Sequence, residues 1–446
     1  MIMFIDKTTL SDLSVFSPQD NASLFYLIDY TATAEGKSEL MHMLHHPLTQ
    51  KKHIVAVQEI LNLIAKNLDQ WPSEITNGTL LVIEKFYDDQ PDPIPENISN
   101  LQAVFYKWLH PRDYALMMFS MKQLFYLIKG YEKIHAFFGP TILPAPLEEI
   151  LCQSRKILAD KSLADLIQKK SFNELNQREI LQLGRMFHID LVAEIRTLIK
   201  LYGKLDAWYA MAKANIQLKL NNPQFTQEAT LIESVNLRHL LLENPVSYNI
   251  NMNKASNFIF LTGANMAGKS TLIKAVGLAV YMAHLGMGVP AKEMKLSIFE
   301  GILSNINIAD NISKGESYFF NEVKRIKETI IKITNGKRWL VLIDEIFKGT
   351  NIQDAMKCST AVIKGLIKMQ NGLFILSTHL YEIGEELKPL PSISFKYFET
   401  KLINNELFFS YQLKDGISQD RMGYLILQKE GVTSLLDEIS RPTPSV

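Results

Sequence analysis

Apolar residues in the first half of the chain recur at helical spacing. Ile195, Leu198, Ile199, Tyr202, Leu205, Tyr209, Ala212 and Ile216 follow one another at steps of one, three or four and draw one stripe on a long helix. The tract Ile180–Ile216 contains no proline. Residues 1–220 therefore read as a mostly helical domain. Two loops are predicted to interrupt it. Asp88–Asn97 carries Pro91, Pro93 and Pro95, which no helix can continue through, and Gly139–Pro146 is the second break. Between them, the aromatic-rich stretch Phe105–Phe138 is predicted to be a buried helical pair. Base-stacking platforms usually interleave their aromatics with Lys and Arg.

From about Asn221 the pattern changes. Short apolar runs, Phe258–Thr262, Trp339–Ile343 and Leu373–Ser377, alternate with helix-like segments. Unbroken apolar runs of this kind suit a parallel sheet covered on both faces. Glu406–Leu413 reads as an antiparallel hairpin arm. Residues 221–446 are thus predicted to form a mostly parallel α/β domain after the all-α one. The longest uncharged run, Ala275–Ala291, includes His284 and Pro290 and falls short of the roughly 20 apolar residues a membrane span needs. It is predicted to be a buried helix with its exit loop.

Composition narrows the function. Of 446 residues, 47 are Lys or Arg and 47 are Asp or Glu, which excludes a strongly basic polyelectrolyte binder but permits a local basic groove. Cys152 and Cys358 cannot build a disulfide framework or a cysteine zinc site. Met1–Lys7 lacks a signal-peptide layout. The expected setting is reducing and cytoplasmic, with no membrane partner.

Four motifs carry chemistry. The first is Gly263-Ala264-Asn265-Met266-Ala267-Gly268-Lys269-Ser270-Thr271, a G-x-x-x-x-G-K-[ST] loop between a predicted strand and a predicted helix. Its glycines let backbone N–H groups turn toward phosphate oxygens, and the helix N-terminus adds its positive end. Lys269 would reach the β- and γ-phosphates, and the Ser270 hydroxyl would ligate Mg²⁺. The second is Asp344-Glu345, two acids closing the strand Trp339–Ile343. Asp344 would hold Mg²⁺ through water, and Glu345 would orient or deprotonate the attacking water.

The third motif is His379, directly after the strand Leu373–Ser377, where it could donate to a γ-phosphate. The fourth is Asp310–Val323. Ser317 is a candidate N-cap for a helix whose predicted inner face is Phe320, Val323 and Ile326. Ser317 with Gly315 before it makes a second anion site. One chain needs only one phosphate cradle, so Ser317 is expected to act in trans on a nucleotide held by a second subunit.

With these motifs in order, the sequence resembles the MutS family of ABC-type ATPases. Its P-loop is similar to G-P-N-M-G-G-K-S-T, with Ala264 and Ala267 replacing Pro and Gly. Asp310–Val323 resembles the signature D-D-L-A-S-G-R-S-T-F-M-V-E-M, keeping Asp310, Gly315, Ser317, Phe319 and Glu322. Asp344–Asn351 resembles D-E-I-G-R-G-T-S, and Ser377–Ile383 resembles A-T-H-Y-F-E-L. Thr31–Leu40 and Leu44–Leu48 resemble the start of the family's core/lever domain.

The resemblance implies a helical core/lever domain over 1–220 and a P-loop ATPase domain over 221–446. It also implies ATP and Mg²⁺ as cofactors, a homodimer with composite ATP sites, and action on mismatched, branched or plain duplex DNA beside other repair proteins. The family's mismatch readers carry an N-terminal wedge with a Phe-x-Glu motif and a connector domain, and this sequence is expected to be a short member without them. Phe172-Asn173-Glu174 and Phe320-Asn321-Glu322 match the wedge string in the wrong places and are read as chance. Val246 stands near the position where the family stacks an aromatic on adenine, so base stacking is expected to be weaker or supplied elsewhere. The alternative is a nucleotide-gated scaffold with little DNA contact; a transporter motor fits the signature less well.

Overall fold

The computed structural model describes residues 2–16, 23–88, 94, 96, 98–227, 230–306, 318–403, 406–418, 431–432 and 435–436. The first half runs from β1 (Phe4–Ile5) through α1 (Lys7–Asp12), α2 (Leu24–Ile28), α3 (Ala34–His45), α4 (Lys51–Lys66) and α5 (Asn77–Asp88). It continues with α6 (Asn100–Leu109), α7 (Pro111–Phe138), α8 (Ala145–Leu158), α9 (Lys161–Gln168), α10 (Gln177–Ile189) and α11 (Val192–Gln217). The second half opens with β2 (Gln224–Thr226), β3 (Leu231–Leu237), β4 (Tyr248–Asn253), β5 (Phe258–Thr262), α12 (Lys269–His284), β6 (Glu293–Ser297) and β7 (Gly301–Asn305). It closes with α13 (Tyr318–Ile333), β8 (Trp339–Asp344), α14 (Ile352–Leu366), β9 (Gly372–Ser377), α15 (Glu382–Leu387), β10 (Ile393–Ile403) and β11 (Glu406–Asp415).

Local signals explain the helix ends. Ser99 and Gln102 form a capping box on α6, and Asn176 and Glu179 form one on α10. Pro111 opens α7, and Gly139 closes it with a φ of 57° that a side chain would resist. The stripe predicted for 195–216 is buried along α11 as far as Ala212 except at Tyr209, which is half-buried and stacked on Trp71, whereas Ile216 in the last turn is exposed. The proline-rich loop predicted over 88–97 falls largely outside the described residues.

The aromatic stretch departs from expectation. Only one side of α6 and α7 is buried. On α6, Leu101, Val104, Phe105, Trp108 and Leu109 are each more than half exposed, at 75%, 56%, 62%, 76% and 61%. α6 packs through Ala103 and Tyr106, whereas α7 buries Tyr114, Phe125, Tyr131 and Phe138, so the expected burial holds along α7 and fails on the outer side of α6. Phe172 is buried against Phe125, which suits a core residue and not a wedge.

Two sheets organise the second half. The larger has strand order β1-β7-β8-β9-β5-β10-β11, parallel except for the β10–β11 hairpin. Its central strands β5, β7 and β9 are buried at every position, as helices on both faces require. The smaller sheet, β2-β6-β3-β4, alternates buried and exposed positions along β4. The hydrophobic core is continuous from the helical half onto one face of the large sheet. α12 is that face's central helix, and a Cβ on Gly277 would sit 2.5 Å from Leu342 of β8, so the glycine lets helix and sheet approach closely. Among the described residues, no helix is long and apolar enough to cross a membrane.

The N-terminal strand and helix lie in the segment read as helical yet extend the sheet. β1 pairs with β7. The Asp12 carboxylate accepts from the Ser304 hydroxyl and the Ile306 N–H, and the Thr9 hydroxyl accepts from the Ser304 N–H at 2.9 Å. Asp6, the N-cap of α1, forms an ion pair with Arg325 of α13 at 2.8 Å.

Candidate nucleotide site

The P-loop follows β5, where the chain must turn sharply before α12 begins at Lys269. Gly263 and Gly268 have φ of 139° and 110°, values that L side chains rarely adopt, so the loop's curl depends on them. Lys269 is 6% exposed, and its ammonium donates to the carbonyls of Gly263 at 2.7 Å and Ala264 at 3.1 Å. Burial pushes its pKa below the usual lysine value, while the Glu345 and Asp344 carboxylates pull the other way. The lysine is thus held across the mouth of the loop by groups that an anion could replace.

Strand order brings the acids to the loop. β9 lies between β5 and β8, and Ser377 at its end is in register with Leu261 on one side and Asp344 on the other. The Ser270 and Ser377 hydroxyls each donate to one oxygen of the Asp344 carboxylate. A hydroxyl and a carboxylate in contact are a suitable donor pair for a hard cation that keeps most of its water. Among the described residues, no group of three or more His, Cys, Asp or Glu could hold a metal ion.

Glu345 follows with a φ of 57°. Its carboxylate lies 3.0 Å from the Lys348 ammonium and 3.8 Å from Nδ1 of His379. The His379 side chain is 58% exposed and stands beside Glu345, not on the cavity wall.

These residues share one open cavity of about 690 Å³. Ala264, Asn265, Met266, Gly268, Lys269, Ser270, Thr271, Asp344 and Glu345 line it, together with Leu242, Asn244, Val246 and Tyr248. Lys348 and Tyr411 complete the lining. Gly263 and Ala267 belong to the loop but do not line the cavity. Tyr248, Lys348 and Tyr411 were not singled out by the sequence. Tyr411 sits on the hairpin arm β11, with its ring 3.6 Å from where a Cβ on Gly268 would be. No local motif marks it, because β11 reaches the P-loop only through β10, the neighbour of β5.

Ser317 and residues 310–316 lie outside the described residues. The helix after them corrects the predicted face. Phe320 and Val323 are exposed at 53% and 40%; Glu322, Ile326, Thr329 and Ile333 point inward. The helix turns a carboxylate inside because Glu322 accepts the N–H groups of Lys348 and Gly349, at 3.2 and 3.3 Å.

A family model described as MutS domain V matches residues 259–440, which takes in β5, the P-loop, Asp344-Glu345 and His379. The chain is 29% identical over 256 residues to the DNA mismatch repair protein MutS of Geobacillus kaustophilus, a match covering 56% of this chain and 28% of that protein. It is 29% identical over 281 residues to the protein of the same name from Thermotoga maritima, covering 62% of this chain and 34% of that one. The Staphylococcus aureus protein of that name matches over 406 residues at 25% identity, covering 87% of this chain and 46% of its own length. The chain spans less than half the length of these relatives.

Proposed function

The chain belongs to the MutS family through its domain V, and from that premise we propose that it is a P-loop ATPase coupling ATP hydrolysis to DNA binding in mismatch repair or related DNA repair. One observation carries the reading: Lys269, Ser270, Asp344 and Glu345, from two separate stretches of sequence, line one cavity with the Ser270 hydroxyl hydrogen-bonded to Asp344.

In this reading the N–H groups of residues 263–271 cradle the phosphates of ATP. Lys269 exchanges the carbonyls of Gly263 and Ala264 for β- and γ-phosphate oxygens. Ser270 and, through water, Asp344 would hold Mg²⁺, which when bound would neutralise charge on the phosphates. Glu345 orients the attacking water or takes its proton, and His379, which stands beside Glu345 off the cavity wall, would have to swing inward to donate toward the γ-phosphate. The base lies toward Val246 and Tyr411, the tyrosine supplying the aromatic face that Val246 lacks. Ser317 of the partner subunit completes the phosphate cage, so the working form is a homodimer with composite sites. The DNA-related role is supported by the names of the relatives; the helical region over 1–220 would act as the lever between nucleotide state and DNA.

The test combines nucleotide binding, hydrolysis and DNA filter-binding. Lys269→Ala is expected to abolish nucleotide binding, and Ser317→Ala to leave binding nearly intact while lowering hydrolysis. DNA retention should depend on ATP and fall steeply with salt. A purified chain that ignores adenine nucleotides would sink the proposal, and one that hydrolyses ATP without retaining any duplex would remove its DNA half.

A further inference from the structure

The segment after Glu345 is fastened to α13 from two sides. Glu322, 1% exposed, uses Oε1 to accept from the Lys348 N–H and Oε2 to accept from the Gly349 N–H. Its burial raises its pKa, and these backbone donors oppose the rise. One turn earlier on the same face, the Phe319 ring meets the Phe347 ring at a centroid distance of 5.7 Å. Phe347 is 4% exposed and has a φ of 61°.

Two non-glycine residues in the left-handed region, Glu345 and Phe347, thus flank the buried Ile346. Such conformations persist only where the surroundings over-determine them. Here the surroundings are β9 and α13: the Ser377 carbonyl accepts the Glu345 N–H at 3.0 Å, the carboxylate of Glu322 fixes the backbone of Lys348 and Gly349, and Phe319 packs on Phe347. Lys348 then returns its ammonium to Glu345 at 3.0 Å, closing a ring from α13 back to the acid.

We propose that Glu322 is a positioning residue for Glu345, holding the backbone of residues 347–349 so that the Glu345 carboxylate faces the cavity. The inference rests on the ATPase reading and goes beyond it by assigning a task to a residue that does not line the cavity. Glu322 lies five positions after Ser317 in the sequence and on the helix that begins at Tyr318. A displacement of α13 would therefore reach Glu345 directly, with no need for a change at the P-loop.

The experiment compares wild type, Glu322→Ala and Glu322→Gln as full chains, measuring steady-state ATP turnover and binding of a fluorescent ATP analogue. Glu322→Ala is expected to lower kcat roughly 10–100-fold, the usual effect of removing an outer-shell partner, with the nucleotide Kd changed less than about twofold. Glu322→Gln keeps one acceptor oxygen but sets an NH2 donor against the other N–H, so it is expected to recover part of the lost turnover and to stay measurably below wild type. If Glu322→Ala does not fold by circular dichroism, Glu322→Gln carries the test, with a fall in kcat at constant Kd expected. Wild-type turnover in a folded Glu322→Ala or, failing that, Glu322→Gln overturns the inference alone. Parallel loss of binding and turnover also overturns it, in favour of a merely structural role. A wild-type chain that binds no ATP overturns the ATPase reading and this inference together.

Discussion

Ser270 and Asp344 are 74 residues apart in sequence, yet the Ser270 hydroxyl donates directly to the Asp344 carboxylate. The contact follows from strand order. β5 leads into Ser270 and β8 ends at Asp344, and only β9 separates them. Ser377 at the end of β9 fills the gap by donating to the second carboxylate oxygen.

Asp344→Asn should separate chemistry from folding. The amide keeps the size of the side chain and one acceptor oxygen, so the cost in stability should be about 1 kcal/mol, the worth of one hydrogen bond. It loses the charge that the proposed Mg²⁺ site requires, and turnover should fall about 100-fold or more. Thermal melts beside steady-state hydrolysis check this; a variant that melts and turns over like wild type would show that Asp344 holds no cation.

Tyr411 offers a test of where the base lies. Its ring is 43% exposed over the P-loop, and it lines the same cavity as Val246. Tyr411→Ala should weaken ATP binding by about 1 kcal/mol, roughly fivefold, which is the scale of one aromatic contact. Tyr411→Phe should bind as wild type, since only the ring face is used. Equal affinities for all three forms would place the base elsewhere.

Stability should depend on pH through His284. The imidazole is fully buried, with Nδ1 2.6 Å from the Leu48 carbonyl and Nε2 accepting from the Phe299 N–H at 3.3 Å. Protonation would set a new N–H against that of Phe299, and burial pushes the pKa down to about 4. The folded pKa lies below the unfolded one, so this stability is fully present above about pH 6.5 and drains away as pH falls toward 4. The loss is about 3 kcal/mol at most. His135 and His239, also held near 4 by burial, act in the same direction. Urea unfolding from pH 7 to pH 5 should show the decline, and His284→Gln should flatten it; an unchanged slope would mean that His284 titrates normally.

What the sequence disclosed was local. The runs 258–262, 339–343 and 373–377 became β5, β8 and β9 because a strand buried on both faces has no alternation to obscure it. The P-loop was legible because its glycines answer to backbone geometry at their own positions. Long-range pairing left no such trace. β1 is two residues long, and its partner lies some 300 positions away in β7. The face of α13 was misread because Glu322, a polar residue, is inside while Phe320 is out. Only the backbone of residues 348 and 349 explains that reversal, and periodicity cannot see it.

The join between α3 and α11 is the last element open to a sharp test. Asp206 of α11 is fully buried and accepts from the Ala32 N–H at 3.0 Å, the Thr33 N–H at 2.9 Å and the Thr33 hydroxyl at 2.7 Å. Thr33 in turn caps α3 by accepting from the Gly36 N–H at 3.0 Å. Burial raises the Asp206 pKa, so the carboxylate is tolerated only because these donors face it. Asp206→Ala would strand the donors in a dry site and should cost about 3–5 kcal/mol, whereas Asp206→Asn keeps an acceptor and should cost less than half of that. A Cβ at Gly36 would fall 2.1 Å from the Asp206 carboxylate, so Gly36→Ala should destabilise despite alanine's better helix propensity. Because both changes act on one contact, the Gly36→Ala/Asp206→Ala double variant should be less destabilised than the sum of its parts, by about 1 kcal/mol or more in chemical denaturation. Strict additivity would mean that glycine and carboxylate do not meet.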